Sequence, residues 1–96
     1  MQKISLDIIP VPNPNVVGRI VFDEAVLVLP DKGTVKVLNE VGARIWSLVD
    51  GARNAGAIAS LIFAEYNIDL ASAQEDTLVF LGDLADRDVI TFQASV

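Results

Sequence analysis

Apolar and polar positions follow two regimes, and the change comes near residue 38. Through residues 16–38 the apolar residues form short, mostly β-branched runs broken by turn formers, which is the pattern of strands. From residue 40 onward they recur three and four apart, which is the pattern of amphipathic helices. Residues 16–22 read as a strand around Gly18 and Arg19, with Asp23-Glu24 as a tight turn. Residues 25–29 are a continuous apolar run and read as a second strand. Pro30-Asp31-Lys32-Gly33 is a turn signal, because Pro presets φ and Gly admits positive φ. Residues 34–38 alternate, with Val35 and Val37 on one face and Thr34, Lys36 and Leu38 on the other. The expectation is an antiparallel meander with residues 25–29 in the middle.

Asn39 is placed to cap a helix over 40–49, whose inner face carries Val41, Ile45, Leu48 and Val49, with Trp46 at its margin. Gly42 within that helix points to close packing, and Gly51 suits the helix end. Asn54 caps a second helix over 55–66, with Ile58, Leu61, Ile62 and Tyr66 as its stripe and Asn67 ending it in the left-handed region. Ser72 and Glu75 have capping-box spacing for a third helix running to about residue 87. Ala73, Thr77, Phe80, Leu81 and Leu84 share its core face. Residues 89–92 make a last extended piece. The fold class predicted is α+β: a three-stranded antiparallel sheet followed by a three-helix bundle, in the manner of a winged helix–turn–helix.

The ends divide off from this domain of residues 16–92. Residues 1–15 form a Pro-rich arm, with Pro10, Pro12 and Pro14 enforcing extended backbone. Its Ile4, Leu6, Ile8 and Ile9 suit an edge strand, a docking arm, or exchange between copies in a homodimer. Residues 93–96 are expected to fray.

Charge narrows the choice of partner. There are 13 acids against 7 bases, a net charge of −6, and residues 65–88 hold seven acids and one base. Nucleic-acid affinity comes from basic residues on phosphates, so neither nucleic acid nor an anionic membrane surface is an expected partner. A DNA-reading winged helix would need bases and amides on its recognition helix, whereas the third helix offers Gln74 and Arg87 among acids. No apolar run approaches the roughly 20 residues of a membrane span, and the N-terminus is no signal peptide, so a cytoplasmic protein is expected.

Catalytic chemistry finds little purchase. The chain has no Cys and no His, which removes thiol nucleophiles, imidazole acid–base chemistry and the usual zinc sites. There is no Walker or EF-hand pattern. The expectation is a protein without catalytic residue, metal or cofactor.

What the chain does have is surplus apolar surface. Leu78, Gly82 and Ala85 form a second stripe beside the core face of the third helix, and Val79 adds to it. Strand 34–38 would be an edge strand with unpaired backbone groups. An open edge beside an apolar helix suits addition of a peptide strand. The competing reading is a scaffold that docks on a partner enzyme and binds no peptide.

The run LNEVGARIWSLVDG, then Arg53, Ile58, Tyr66, Asp76, Phe80, Leu81 and Leu84 ahead of Val89-Ile90, resembles the PqqD family of small peptide chaperones, over about residues 16–92. The resemblance implies a winged-helix-like domain that holds the leader segment of a ribosomally made precursor peptide and presents it to a modifying enzyme, commonly a radical S-adenosylmethionine enzyme. Pyrroloquinoline quinone biosynthesis is one pathway it implies. The peptide would add to Thr34, Val35, Lys36, Val37 and Leu38. It would lie on a wall of Asp76, Val79, Phe80, Asp83 and Leu84, to which the stripe argument adds Leu78 and Gly82. Family members usually carry a branched aliphatic where Thr77 stands, a Gly where Asp88 stands and a Thr where Asn54 stands.

Overall fold

A computed structural model describes residues 5–29 and 33–93. Residues 30–32, most of the expected turn, lie outside the described residues, as do Ile4 and residues 94–96. The elements run β1 (Ile9–Pro12), β2 (Val17–Val21), β3 (Glu24–Leu29), β4 (Thr34–Leu38), α1 (Glu40–Leu48), α2 (Ala55–Glu65), α3 (Leu70–Asp86) and β5 (Ile90–Gln93). β2, β3 and β4 form an antiparallel sheet with β3 in the middle, and β1 pairs with β5 in a second, two-stranded sheet.

β3 carries the alternation that seats the sheet on the helices. Its Ala25, Leu27 and Leu29 are buried, and they meet Ile45 and Leu48 of α1, Ile58 and Ile62 of α2, and Leu81 and Leu84 of α3 in one core. The opposite face has no such cover: Val28, Val35 and Val37 all stand exposed on it. Helix starts follow the expected chemistry twice. Asn39 Oδ1 accepts from the Gly42 amide at 2.8 Å, and Asn54 Oδ1 accepts from Ala57 at 2.8 Å.

The Pro-rich arm is an integral strand. Ile9 to Pro12 pair with Gln93 to Ile90, so Gln93, expected to fray, is held in a ladder. The arm also finishes the cap of α2. The amides of Ala55 and Gly56 donate to the carbonyls of Ile8 and Leu6, both at 2.8 Å. With Asn54 on Ala57, the first three amides of α2 all have acceptors.

Four local expectations are corrected. The first turn is Phe22-Asp23 and not Asp23-Glu24, since Glu24 already pairs with Val21; Phe22 takes φ 59°. The cap of α3 is Asp69 and not Ser72: the Ser72 amide donates to Asp69 Oδ1 at 2.6 Å, and the helix begins at Leu70. α2 ends on Tyr66 in extended backbone, and Asn67 is not left-handed. The third-helix stripe of Leu78 and Ala85 is half-buried against the core and not a free surface. Asp88 does adopt φ 62°, the conformation a Gly would take there.

Candidate functional site: an open strand edge beside a helix

The two-residue turn fixes which backbone groups face outward. Val21 and Glu24 flank Phe22-Asp23, so they are a hydrogen-bonded pair, and such pairs alternate along an antiparallel ladder. Glu24, Val26 and Val28 therefore bond toward β2. The intervening Ala25, Leu27 and Leu29 bond toward β4, where their partners are Leu38, Lys36 and Thr34. By the same alternation Val35 and Val37 turn their N–H and C=O groups away from β3, to the edge where no described strand pairs. Their side chains sit on the uncovered sheet face, each 61% exposed.

α3 forms the wall beside this edge. Lys36 reaches from the inner face of β4 to Asp83 of α3, with Nζ 3.0 Å from Oδ2. Burial works against ionisation of Asp83, but the hydrogen bond and charge of Lys36, joined by Arg87, hold its carboxyl below the usual carboxylate range. Arg87 also reaches Asp83 from one turn on, at 3.3 Å. The one cation of β4 is thus neutralised where strand meets helix.

Of the residues expected to hold a peptide, Thr34, Val35, Val37, Asp76 and Val79 are exposed, Val79 at 67%. Lys36 and Asp83 are half-buried where they meet, Gly82 is half-buried, and Phe80 and Leu78 are half-buried against the core. Leu38 and Leu84 are core residues and offer their side chains to no groove. Phe80 is the hinge of the arrangement. Its ring lies over Gly42, where an added Cβ would come within 3.0 Å of it, so glycine there lets α1 and α3 approach. Sequence reasoning did not place Gly42, Val41, Tyr66 or Ile68 beside Phe80; they come from two segments, α1 and the α2–α3 connection, that share no periodic signal with α3.

The other sheet edge, β2, has different surroundings. Ile20, Asp23, Glu40, Arg44 and Ser47 border a shallow hollow there, next to Tyr66. Arg44 is fully engaged with Glu65, Nε to Oε1 and Nη2 to Oε2, both at 2.7 Å. That pair locks α1 to α2 and leaves this edge flanked by charge. Among the described residues no group of three or more carboxylates stands close enough to hold a metal ion. Among the described residues, too, no helix is long and apolar enough to cross a membrane.

Comparison with known proteins agrees with the fold. Residues 24–90 match the family described as Coenzyme PQQ synthesis protein D (PqqD). The chain is 34% identical over 78 residues to a PqqA binding protein of Rhodopseudomonas palustris (strain TIE-1), covering 77% of this chain and 74% of that protein. It superposes on TbiB1, solved in complex with the TbiA(beta) leader peptide, with a TM-score of 0.77 and 34% identity, over 83% of this chain and 93% of that one. The PqqD truncation of Methylobacterium extorquens PqqCD, a stand-alone recognition element for ribosomally synthesised and modified peptides, matches with a TM-score of 0.71 and 26% identity, over 85% of this chain and 87% of that one.

Proposed function

This chain belongs to the PqqD family, and from that premise we propose that it is a peptide chaperone. It takes up an extended leader segment of a ribosomally made precursor peptide as a further strand on β4 and presents it to a modifying enzyme of the radical S-adenosylmethionine type, in the cytoplasm. The observation that carries this reading is the open edge at Val35 and Val37 on a strand that Lys36 ties to Asp83 of α3, the helix that also carries the exposed Val79. Main-chain hydrogen bonds supply affinity at such an edge, and the alternate side chains that face the helix supply selectivity. The relatives support the reading: one is named for binding PqqA, and TbiB1 is solved with a leader peptide.

The test is an amide NMR titration of the labelled protein with PqqA of the Rhodopseudomonas strain and with the TbiA(beta) leader, and a DNA duplex as control. Shifts gathered in residues 34–38 and 76–83 with either peptide, and none with DNA, are expected. A spectrum unmoved by both peptides but perturbed by a modifying enzyme would replace the chaperone with a docking scaffold.

A further inference from the structure

β2 is the other outer strand of the three-stranded sheet, and it too is left open. The ladder alternation that turns Val35 and Val37 outward on β4 assigns Val17, Arg19 and Val21 to bonds with β3, across from Val28, Val26 and Glu24. Gly18 and Ile20 therefore turn their N–H and C=O groups outward, to a side where no described strand pairs. No proline or bulge blunts this edge. Arg19, its one charge, has its side chain on the outer sheet face. α1 stands along the inner side. Gly18 has no side chain, and the half-buried Trp46 indole fills that space: a Cβ on Gly18 would lie 2.8 Å from Nε1. The indole N–H donates to no described residue and is not sealed from solvent. Further along, Ile20 is 59% exposed and borders the hollow of about 330 Å³ with Asp23, Glu40 and Arg44. Arg44 is engaged by Glu65, whereas Asp23 and Glu40 are in no ion pair among the described residues.

We propose that the β2 edge is a second strand-addition site, and that its ligand is a basic extended segment of the partner protein to which the chaperone delivers its peptide. The proposal rests on the chaperone reading only for who that partner is. Gly18 and Ile20 supply the main-chain bonds, and the Trp46 indole adds a donor for a carbonyl of the incoming strand. Parity sets the side chains. A residue opposite Gly18 or Ile20 points to the α1 side, and one opposite Arg19 to the outer sheet face. The residue opposite Ile20, or its inward neighbour two positions on, reaches the hollow, where Asp23 and Glu40 select Lys or Arg. A second copy of the chain, at net charge −6, is repelled from these acids and not steered to them. Leader peptide and partner then occupy opposite edges of one sheet, with β3 at its centre, and do not compete.

The probe is a displayed library of random strand-length peptides, selected on the full chain and then measured clone by clone on Ile20→Pro and Val37→Pro. Each variant removes one outward amide and no bond to β3, so clones lost on one and kept on the other also report that the variant is folded. Expected is a class that loses about tenfold or more in affinity on Ile20→Pro, is unchanged on Val37→Pro, and carries Lys or Arg at an inward position. On Trp46→Phe, which keeps a ring and drops the N–H, this class should weaken about fivefold. With Asp23→Asn and Glu40→Gln together, its basic preference should vanish. Saturation with a Val37-dependent clone should leave its affinity within about twofold. If no clone depends on Ile20 while Val37-dependent clones survive Ile20→Pro, the second site is overturned and the β4 reading stands. An Ile20-dependent class without basic residues would overturn the basic ligand. Ile20-dependent clones with no Val37-dependent ones would overturn the β4 reading and leave this site standing. Should Ile20→Pro lose every clone, the Trp46 and Asp23–Glu40 variants decide: a library with no clone weakened by either overturns the site.

Discussion

The molecule has two kinds of edge strand, and β1 and β4 show the contrast. β1 carries Pro10 and Pro12, which have no N–H to offer. Beyond its pairing with β5, the carbonyls of the arm are taken up: those of Leu6 and Ile8 by α2, and that of Pro10 by the Gly51 amide at 3.2 Å. β4 has no proline within it, and Val35 and Val37 leave their backbone groups unclaimed by any described strand. One edge is closed by its own chain, and the other stays open among the described residues. The sheet edge that a protein does not blunt is a functional statement, because an unblunted edge invites unwanted pairing.

Proline is the sharpest tool on this contrast. Lys36→Pro removes an amide that bonds to β3 and breaks the pair with Asp83. It is expected to unfold the sheet, read as loss of cooperative thermal unfolding. Val37→Pro removes an outward amide only. It should leave the fold in place, by circular dichroism, and lower peptide affinity by about tenfold or more, since one main-chain bond and access for the strand both go. Equal unfolding by the two variants would break the parity assignment on which the edge rests.

The closed side should answer in stability alone. Deleting residues 1–8 strips two acceptors from the start of α2, at a cost of about 1–3 kcal/mol in urea unfolding. Peptide affinity should hold within about twofold, as distant sites act independently. A smaller effect is expected at Thr77, whose Oγ1 is buried without a hydrogen-bond partner. Thr77→Val should raise stability by about 1 kcal/mol, because an unsatisfied hydroxyl is exchanged for a methyl of the same shape.

The smallest effect is in pH. Asp83 has its pKa lowered in the folded state from a model-peptide value of 3.8. Its contribution is therefore present above that value and lost as pH falls through the lower, folded one. Its side chain is 42% exposed, so screening limits the loss to about 1 kcal/mol or less. Denaturant midpoints of wild type and Asp83→Asn should converge at the acid end.

Much of the architecture could be read from the chain. The three-stranded meander, the three helices and the caps at Asn39 and Asn54 follow from short-range patterning, which sequence records directly; the left-handed Asp88 was legible only through the Gly that the resembling family carries there. What could not be read depends on distance or competition. The β1–β5 pairing joins Ile9 to Gln93, and no periodicity couples residues so far apart. Asp69 outcompeted Ser72 as a cap by standing one turn earlier, with α3 starting on an apolar Leu70. Leu84 and Phe80 share a predicted face, but only packing decides that Leu84 is sealed while Phe80 stays half-open over Gly42. The hollow that Val41, Ile68, Phe80 and Asp76 line joins α1, the α2–α3 connection and α3, and it exists only once those three are assembled.

The β1–β5 ladder has one more consequence, and it is architectural. Because Ile9 lies across from Gln93, the first and last strands of the domain lie side by side, on a sheet separate from the one with the open edge. Such a unit behaves like a plug with both leads on one side. Fusing it before, after or inside another polypeptide is therefore expected to leave β4 as it is, read as unchanged amide shifts of residues 34–38.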